Sequence, residues 1–171
     1  MGPVPPEHPI VAQIPHLRRY ARALLGERAA AEDLVQDCLE RAWSRFHLWR
    51  DGTNLRTWLF TIMHNLHANA MRSAARRPRQ TPIDENGPAL PVRATQEDRL
   101  EVSAIESALS RLPEEQRQVV LLVGLEEMSY QEAASVLSIP IGTVMSRLHR
   151  GRERLRETLT GASGPSLRRV K

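Results

Sequence analysis

Four prolines, Pro78, Pro82, Pro88 and Pro91, fall within fourteen residues of this chain, and no regular helix or strand can run through them. Each removes a backbone donor and fixes a dihedral, while Asp84, Asn86 and Gly87 between them favour turns. The stretch RPRQTPIDENGPALPVRATQED carries too little apolar surface to offset the entropy of ordering it. Residues 78–97 are therefore expected to link an N-terminal domain, 10–77, to a C-terminal domain, 98–160. Fully extended, such a linker reaches roughly 60 Å at about 3.3 Å per residue.

Both flanking blocks have helical periodicity, and neither contains alternating strand runs or a hairpin dipeptide. The expected fold is all-α: two small helical domains joined by a flexible Pro-rich linker. Only 4% of residues are aromatic, so the cores must be aliphatic. In the first block Leu17, Tyr20, Ala21 and Leu24 keep helical spacing up to Gly26. A second helix, from near Ala29, places Leu34, Val35, Cys38, Leu39, Ala42, Trp43 and Phe46 on one stripe, opposite Glu32, Asp33, Gln36, Asp37 and Glu40. A third, capped by Thr53 or Asn54, runs to about Ala75 with Leu55, Leu59, Ile62, Met63, Leu66 and Ala70 inward.

In the second block Val102, Ile105, Leu109 and Leu112 mark one inward stripe. Pro113 then opens a helix through Val119, Val120, Leu122 and Val123. Ser129-Tyr-Gln-Glu132 is a capping box, in which serine oxygen and glutamate each satisfy a free donor at a helix start. The short helix it begins stops at Ser138-Ile-Pro140. A longer basic helix follows, with Val144, Leu148, Gly151 and Leu155 inward, and the pair forms a helix-turn-helix.

Charge is distributed unevenly. No acid lies between Asp51 and Asp84, a zone holding Arg56, Arg72, Arg76, Arg77 and Arg79. From Glu101 to Glu132 seven acids face two arginines, net −5, and from Ala133 to Lys171 eight bases face two acids, net +6. Two separate basic zones point to a polyanionic partner such as nucleic acid. The lone cysteine, Cys38, excludes an internal disulfide or a thiolate zinc site and, inside an apolar stripe, belongs to the core. His64 and His67 have no third ligand at zinc spacing and are expected at the surface. No stretch approaches about 18 apolar residues and no basic-then-apolar leader opens the chain, so a cytoplasmic protein without membrane insertion is expected.

The second helix of a helix-turn-helix fits the major groove. Its first turns here expose Thr143, Met145, Ser146, Arg147, His149 and Arg150. Arg150 suits a fork to guanine, and Arg147, Arg152 and Arg154 suit phosphates. In the first block, Asn54, Arg56, Trp58, Asn65, Asn69, Arg72 and Arg76 combine an aromatic face, amides and cations, a mixture suited to unpaired bases. Trp58 and Phe60 equally fit a core. The acidic face of Asp33, Gln36, Asp37 and Glu40 fits either an arginine-bearing partner helix or solvent. No phosphate loop, HExxH or nucleophile motif is present. Two rival functions remain: a stand-alone helix-turn-helix regulator, or a nuclease holding metal at Asp33, Asp37 or Glu40.

The segments AEDLVQDCLERAW, GTNLRTWLFTIMHNLHANAMRSAARR and LPEEQRQVVLLVGLEEMSYQEAASVLSIPIGTVMSRLHRGRERLRE, in that order, resemble the extracytoplasmic-function (ECF) class of bacterial RNA polymerase sigma factors. The resemblance implies a sigma-2 domain, a sigma-4 domain and no catalytic activity or cofactor. It implies that the chain directs core RNA polymerase to promoter DNA, assists strand opening in a stress or envelope response, and answers to an anti-sigma factor. Asp33, Gln36, Asp37 and Glu40 would meet polymerase. Asn54, Arg56, Trp58, Asn65, Asn69, Arg72 and Arg76 would meet the minus-10 element. Thr143, Met145, Ser146, Arg147, His149, Arg150 and Arg154 would meet the minus-35 element. Met145 stands where relatives often carry arginine or lysine.

Overall fold

The computed structural model describes residues 8–50, 52–76 and 96–161, with backbone alone over 96–101. The expected linker, apart from Gln96 and Glu97, lies outside them. The described residues form seven α-helices and no strand, and none of these helices is long and apolar enough to cross a membrane.

Helix α1, Ile14–Leu25, opens on Pro15 and closes at Gly26, whose φ of 72° and N–H bond to the Arg22 carbonyl make a left-handed cap. Leu17, Tyr20, Ala21 and Leu24 are all buried, as their spacing predicts. Helix α2, Arg28–Arg45, is capped by Glu27, whose carboxylate accepts from Ala29 and Ala30 N–H at 2.7 and 2.8 Å. It buries Ala31, Leu34, Val35, Cys38 and Ala42. Burial pushes the Cys38 thiol up to about 12, which keeps it an inert apolar filler. Helix α3, Leu55–Arg76, starts where Asn54 Oδ1 accepts from Thr57 N–H at 3.2 Å. Its buried positions are Leu59, Phe60, Met63 and His67. Ala70, expected inward, is exposed, because residues 69–76 are exposed on every side and α3 outruns the core.

Helix α4, Gln96–Ser110, departs further from expectation. Val102 and Ile105 are 54% and 49% exposed, while Ala108 and Leu112 are buried. Among its described side chains burial is confined to the C-terminal end, and α4 packs on α7 and α1. Helix α5, Glu114–Val120, follows Pro113 and widens into a π turn over Leu121–Leu125. Helix α6, Tyr130–Leu137, is opened by the predicted capping box: Ser129 Oγ accepts from Glu132 N–H at 3.2 Å, and the Glu132 carboxylate accepts from Ser129 N–H at 2.8 Å. It ends at Ser138 in the left-handed region, φ 53°, and α7, Ile141–Gly161, follows Pro140. Val144, Leu148 and Gly151 form its buried face. A Cβ on Gly151 would lie 2.7 Å from Val120 Cγ2, so glycine permits the close crossing of α7 over α5.

The two blocks do not stand apart. One continuous apolar core runs from Leu17, Leu24, Leu59 and Met63 to Leu122, Val136, Val144 and Leu148. Helix α3 packs on α6, and α1 packs on the π turn and α4. Tyr20 and Phe60 meet edge to face, with ring centroids 5.2 Å apart.

Candidate nucleic-acid and polymerase interfaces

Three acids of the second block, Glu114, Glu126 and Glu132, contact the first. Glu126 is wholly buried, and a lone carboxylate there would be costly without partners. Arg56 of α3 donates to its Oε2 at 2.5 Å and to its backbone carbonyl at 2.6 Å. Arg19 of α1 donates to both carboxylate oxygens, at 2.9 and 3.1 Å, and to the Leu125 carbonyl at 3.0 Å. His16 Nδ1 lies 3.1 Å from Oε2. The hydrogen bond to Glu126 raises the pKa of Arg19.

Three further fasteners cross the same seam. Asn54 Nδ2 donates to Glu132 Oε1 at 2.5 Å. His67 hydrogen-bonds Glu114, which also accepts from Gln118 at 2.9 Å. The His67 bond, against the opposing effect of burial, holds the Glu114 carboxyl below its ordinary range, and the Ser129 N–H does the same for Glu132. Arg117 donates to the Leu24 carbonyl at 3.0 Å, satisfying an orphan acceptor at the end of α1. His67 is only 4% exposed. It is therefore not the surface residue its sequence context suggests, since Glu114 arrives from the other block to partner it.

The candidate minus-10 residues divide into two groups. Asn54 and Arg56 are engaged by Glu132 and Glu126 at the seam, and Arg56 also sits 5.8 Å over the Phe60 ring. Trp58 is half-buried, its ring 6.5 Å from Phe46, and it lines a cleft of about 450 Å³ with Trp49, Thr53, Gln131 and Ser135. Phe60 belongs to the core. Asn65, Asn69, Arg72 and Arg76 are exposed along the outer face of α3, and Arg72 donates to Asn69 Oδ1.

On α7 the expected groove-facing residues are presented unequally. Met145, His149, Arg150 and Arg154 are exposed, Met145 at 52%. Thr143 and Ser146 are half-buried, and Ser146 Oγ donates to the Thr143 carbonyl at 3.1 Å. Arg147 turns back to Glu115 of α5 at 2.9 Å, so its guanidinium is partly engaged. On α2, Asp33, Gln36, Asp37 and Glu40 are all exposed, and Gln36 Nε2 donates to Glu40 Oε1 at 3.0 Å. Sequence reasoning passed over Glu126, Arg19, His16, Glu114 and Arg117. The one available signal was a glutamate at the end of the apolar run LLVGLEEM, where burial without a partner is implausible.

The described residues thus combine an acid-free helix, an exposed acidic face on α2 and a basic helix-turn-helix. Residues 10–64 match the family model described as the sigma2 domain of PhyR, and residues 103–155 match sigma-70, region 4. The chain is 38% identical over 149 residues to the ECF RNA polymerase sigma factor EcfG of Rhodopseudomonas palustris, covering 85% of this chain and 80% of that protein. Its fold is similar to the sigma factor RpoE in complex with the anti-sigma factor NepR from Bartonella quintana, with a TM-score of 0.71 and 33% identity over 88% of this chain and 94% of that one. It is also similar to CnrH in complex with the cytosolic domain of CnrY, with a TM-score of 0.65 and 27% identity over 91% and 86% of the two chains. This chain belongs to the family of ECF RNA polymerase sigma factors.

Proposed function

We propose that this chain acts in the cytoplasm as a promoter-selecting subunit of RNA polymerase, with no catalytic step of its own. The acidic face of α2, Asp33, Gln36, Asp37 and Glu40, docks on polymerase. Helix α7 reads the minus-35 duplex through Thr143, Met145, Ser146, His149 and Arg150, with Arg147 and Arg154 on phosphates. Helix α3 and its preceding loop, through Asn54, Arg56, Trp58, Asn65, Asn69, Arg72 and Arg76, take the minus-10 element as it opens. Residues 10–77 and 98–160 form the two working domains, tethered by 78–97.

The observation that carries this reading is the exposure of an acidic face on α2 and of a basic face on α7 within segments that match the sigma2 and sigma-70 region 4 models. Two of the polar groups suited to unpaired bases are held by Glu132 and Glu126 of the other block, so this packed arrangement is a resting one and the blocks separate before promoter opening. An anti-sigma factor that binds the packed arrangement would prolong that rest, and the similar sigma factor RpoE was solved in complex with the anti-sigma factor NepR.

Run-off transcription with purified cognate core polymerase tests the proposal. Wild-type protein is expected to confer start-site selection, and Arg150→Ala to weaken promoter engagement about 5- to 150-fold, as removal of a bidentate fork to a base would. Equal promoter binding by the chain without polymerase, or no start-site selection with it, would sink the reading.

A further inference from the structure

Between α2 and α3 lies a groove of about 170 Å³ lined by Arg41, Arg45, Ile62, Asn65, Leu66 and Asn69. Ile62 and Leu66 form an apolar floor, Asn65 and Asn69 one polar wall, and the two arginines the opposite wall. Arg41 and Arg45 are exposed, and among the described residues no carboxylate forms an ion pair with either. Helix α3 offers none, because Leu55–Arg76 contains no acid.

Arg41 and Arg45, four residues apart on a helix, repel one another, and although Asp37 stands four residues before Arg41, neither arginine closes an ion pair among the described residues. A helix C-terminus favours a cation in its last turn, which accounts for Arg45. It does not account for Arg41 a turn earlier, or for both lining a groove. Helix α2 thus changes sign along its length, from exposed Asp33, Asp37 and Glu40 to exposed Arg41 and Arg45. The acidic part repels nucleic acid, and the basic part attracts it.

We propose that this groove is a phosphate-binding track: Arg41 and Arg45 grip successive backbone phosphates of the promoter strand that α3 addresses, while Asn65 and Asn69 face its sugars and bases from the other wall. The inference rests on α3 meeting the minus-10 element. Guanidinium forks suit phosphate oxygens, and side chains four apart on a helix project side by side, as successive phosphates along a strand do. The amides opposite can donate and accept, and the apolar floor excludes water from beneath the strand. Helix α2 therefore serves polymerase with one half and DNA with the other.

The test uses holoenzyme reconstituted with core polymerase, and compares wild type with Arg41→Gln/Arg45→Gln, Arg41→Lys/Arg45→Lys and Asn65→Ala/Asn69→Ala across a salt series. Every phosphate that goes unneutralised lowers the slope of log affinity against log salt by about 0.7–0.9. The glutamine pair is expected to keep wild-type affinity for core, to bind promoter about tenfold more weakly at low salt, and to lower the slope by about 1.4–1.8. The lysine pair is expected to restore the slope, since charge is retained. Wild-type promoter affinity and slope in the glutamine pair, with Asn65→Ala/Asn69→Ala defective, would overturn the track and leave the minus-10 role of α3 standing. No effect from either pair would overturn both. Weakened core binding in the glutamine pair would make the groove a polymerase surface and overturn the track.

Discussion

Arg56 grips Glu126 twice, once at the carboxylate and once at the backbone carbonyl, at 2.5 and 2.6 Å. Because the carboxylate is wholly buried and the arginine half-buried, this pair fastens the helix proposed to read DNA to the block that must leave it. Replacing Glu126 with Gln keeps the shape and removes the charge. Packing is expected to weaken by about 1–3 kcal/mol, the range for a buried polar group losing its charged partners. Small-angle scattering should show a larger radius of gyration for Glu126→Gln than for wild type. An unchanged radius together with an unchanged melting temperature would show that the pair does not hold the seam.

Trp58 sits between two roles. Its half-buried ring packs on the core cluster while lining the 450 Å³ cleft. Trp58→Ala is expected to lower the melting temperature and to slow strand opening on a promoter, whereas Trp58→Phe should recover most stability and only part of the opening rate. If both variants track stability alone, the ring is packing and nothing more.

Gly151 lets α7 cross α5. A Cβ there would meet Val120 Cγ2 at 2.7 Å, so Gly151→Ala should destabilise by about 1–3 kcal/mol through overpacking. Adding Val120→Ala removes the clash, and a double-mutant cycle should return a favourable coupling. Denaturant midpoints give the number; strict additivity would place the strain elsewhere.

The seam should loosen in acid. A carboxyl held below its ordinary value contributes stability that is complete above that value and is lost as pH falls through the depressed one. Glu114, lowered chiefly by His67, and Glu132, lowered chiefly by the Ser129 N–H, both behave this way. The contribution of these carboxylates' own titration should therefore be complete above the ordinary 4.5 and decline as pH falls below it. Glu114→Gln is expected to be less stable at pH 7 and to show a shallower acid decline. An acid decline as steep as that of wild type would exclude Glu114 as a cause.

Local signals were legible in the sequence where chemistry is local. The Gly26 cap, the Ser129–Glu132 box, the turn at Ser138 and the buried stripe of α2 follow from residues a few positions apart. Misreadings arose where a distant segment decides. His67 needs Glu114 from 47 residues away to be buried, and Glu126 needs Arg56 from 70. Val102 and Ile105 look inward by period, yet burial among the described side chains of α4 lies at its far end, and Ala108 takes the core position. The charge asymmetry was visible in the sequence, but not that Glu114, Glu126 and Glu132 would meet partners from the first block. Of the candidate DNA-facing residues, Met145, His149, Arg150 and Arg154 of α7 are exposed. Periodicity could not reveal that Asn54 and Arg56 are occupied.

The continuous core of α1, α3, α5 and α6 gives the molecule a way to reset. Parting the blocks wets aliphatic surface that water disfavours, and both halves stay on one covalent chain. If the blocks part on polymerase as proposed, their return on release would be a first-order event, as fast in a scarce protein as in an abundant one. Each round of promoter use would thus end on a timer intrinsic to the molecule, with any inhibitory partner needed to hold the shut form and not to create it.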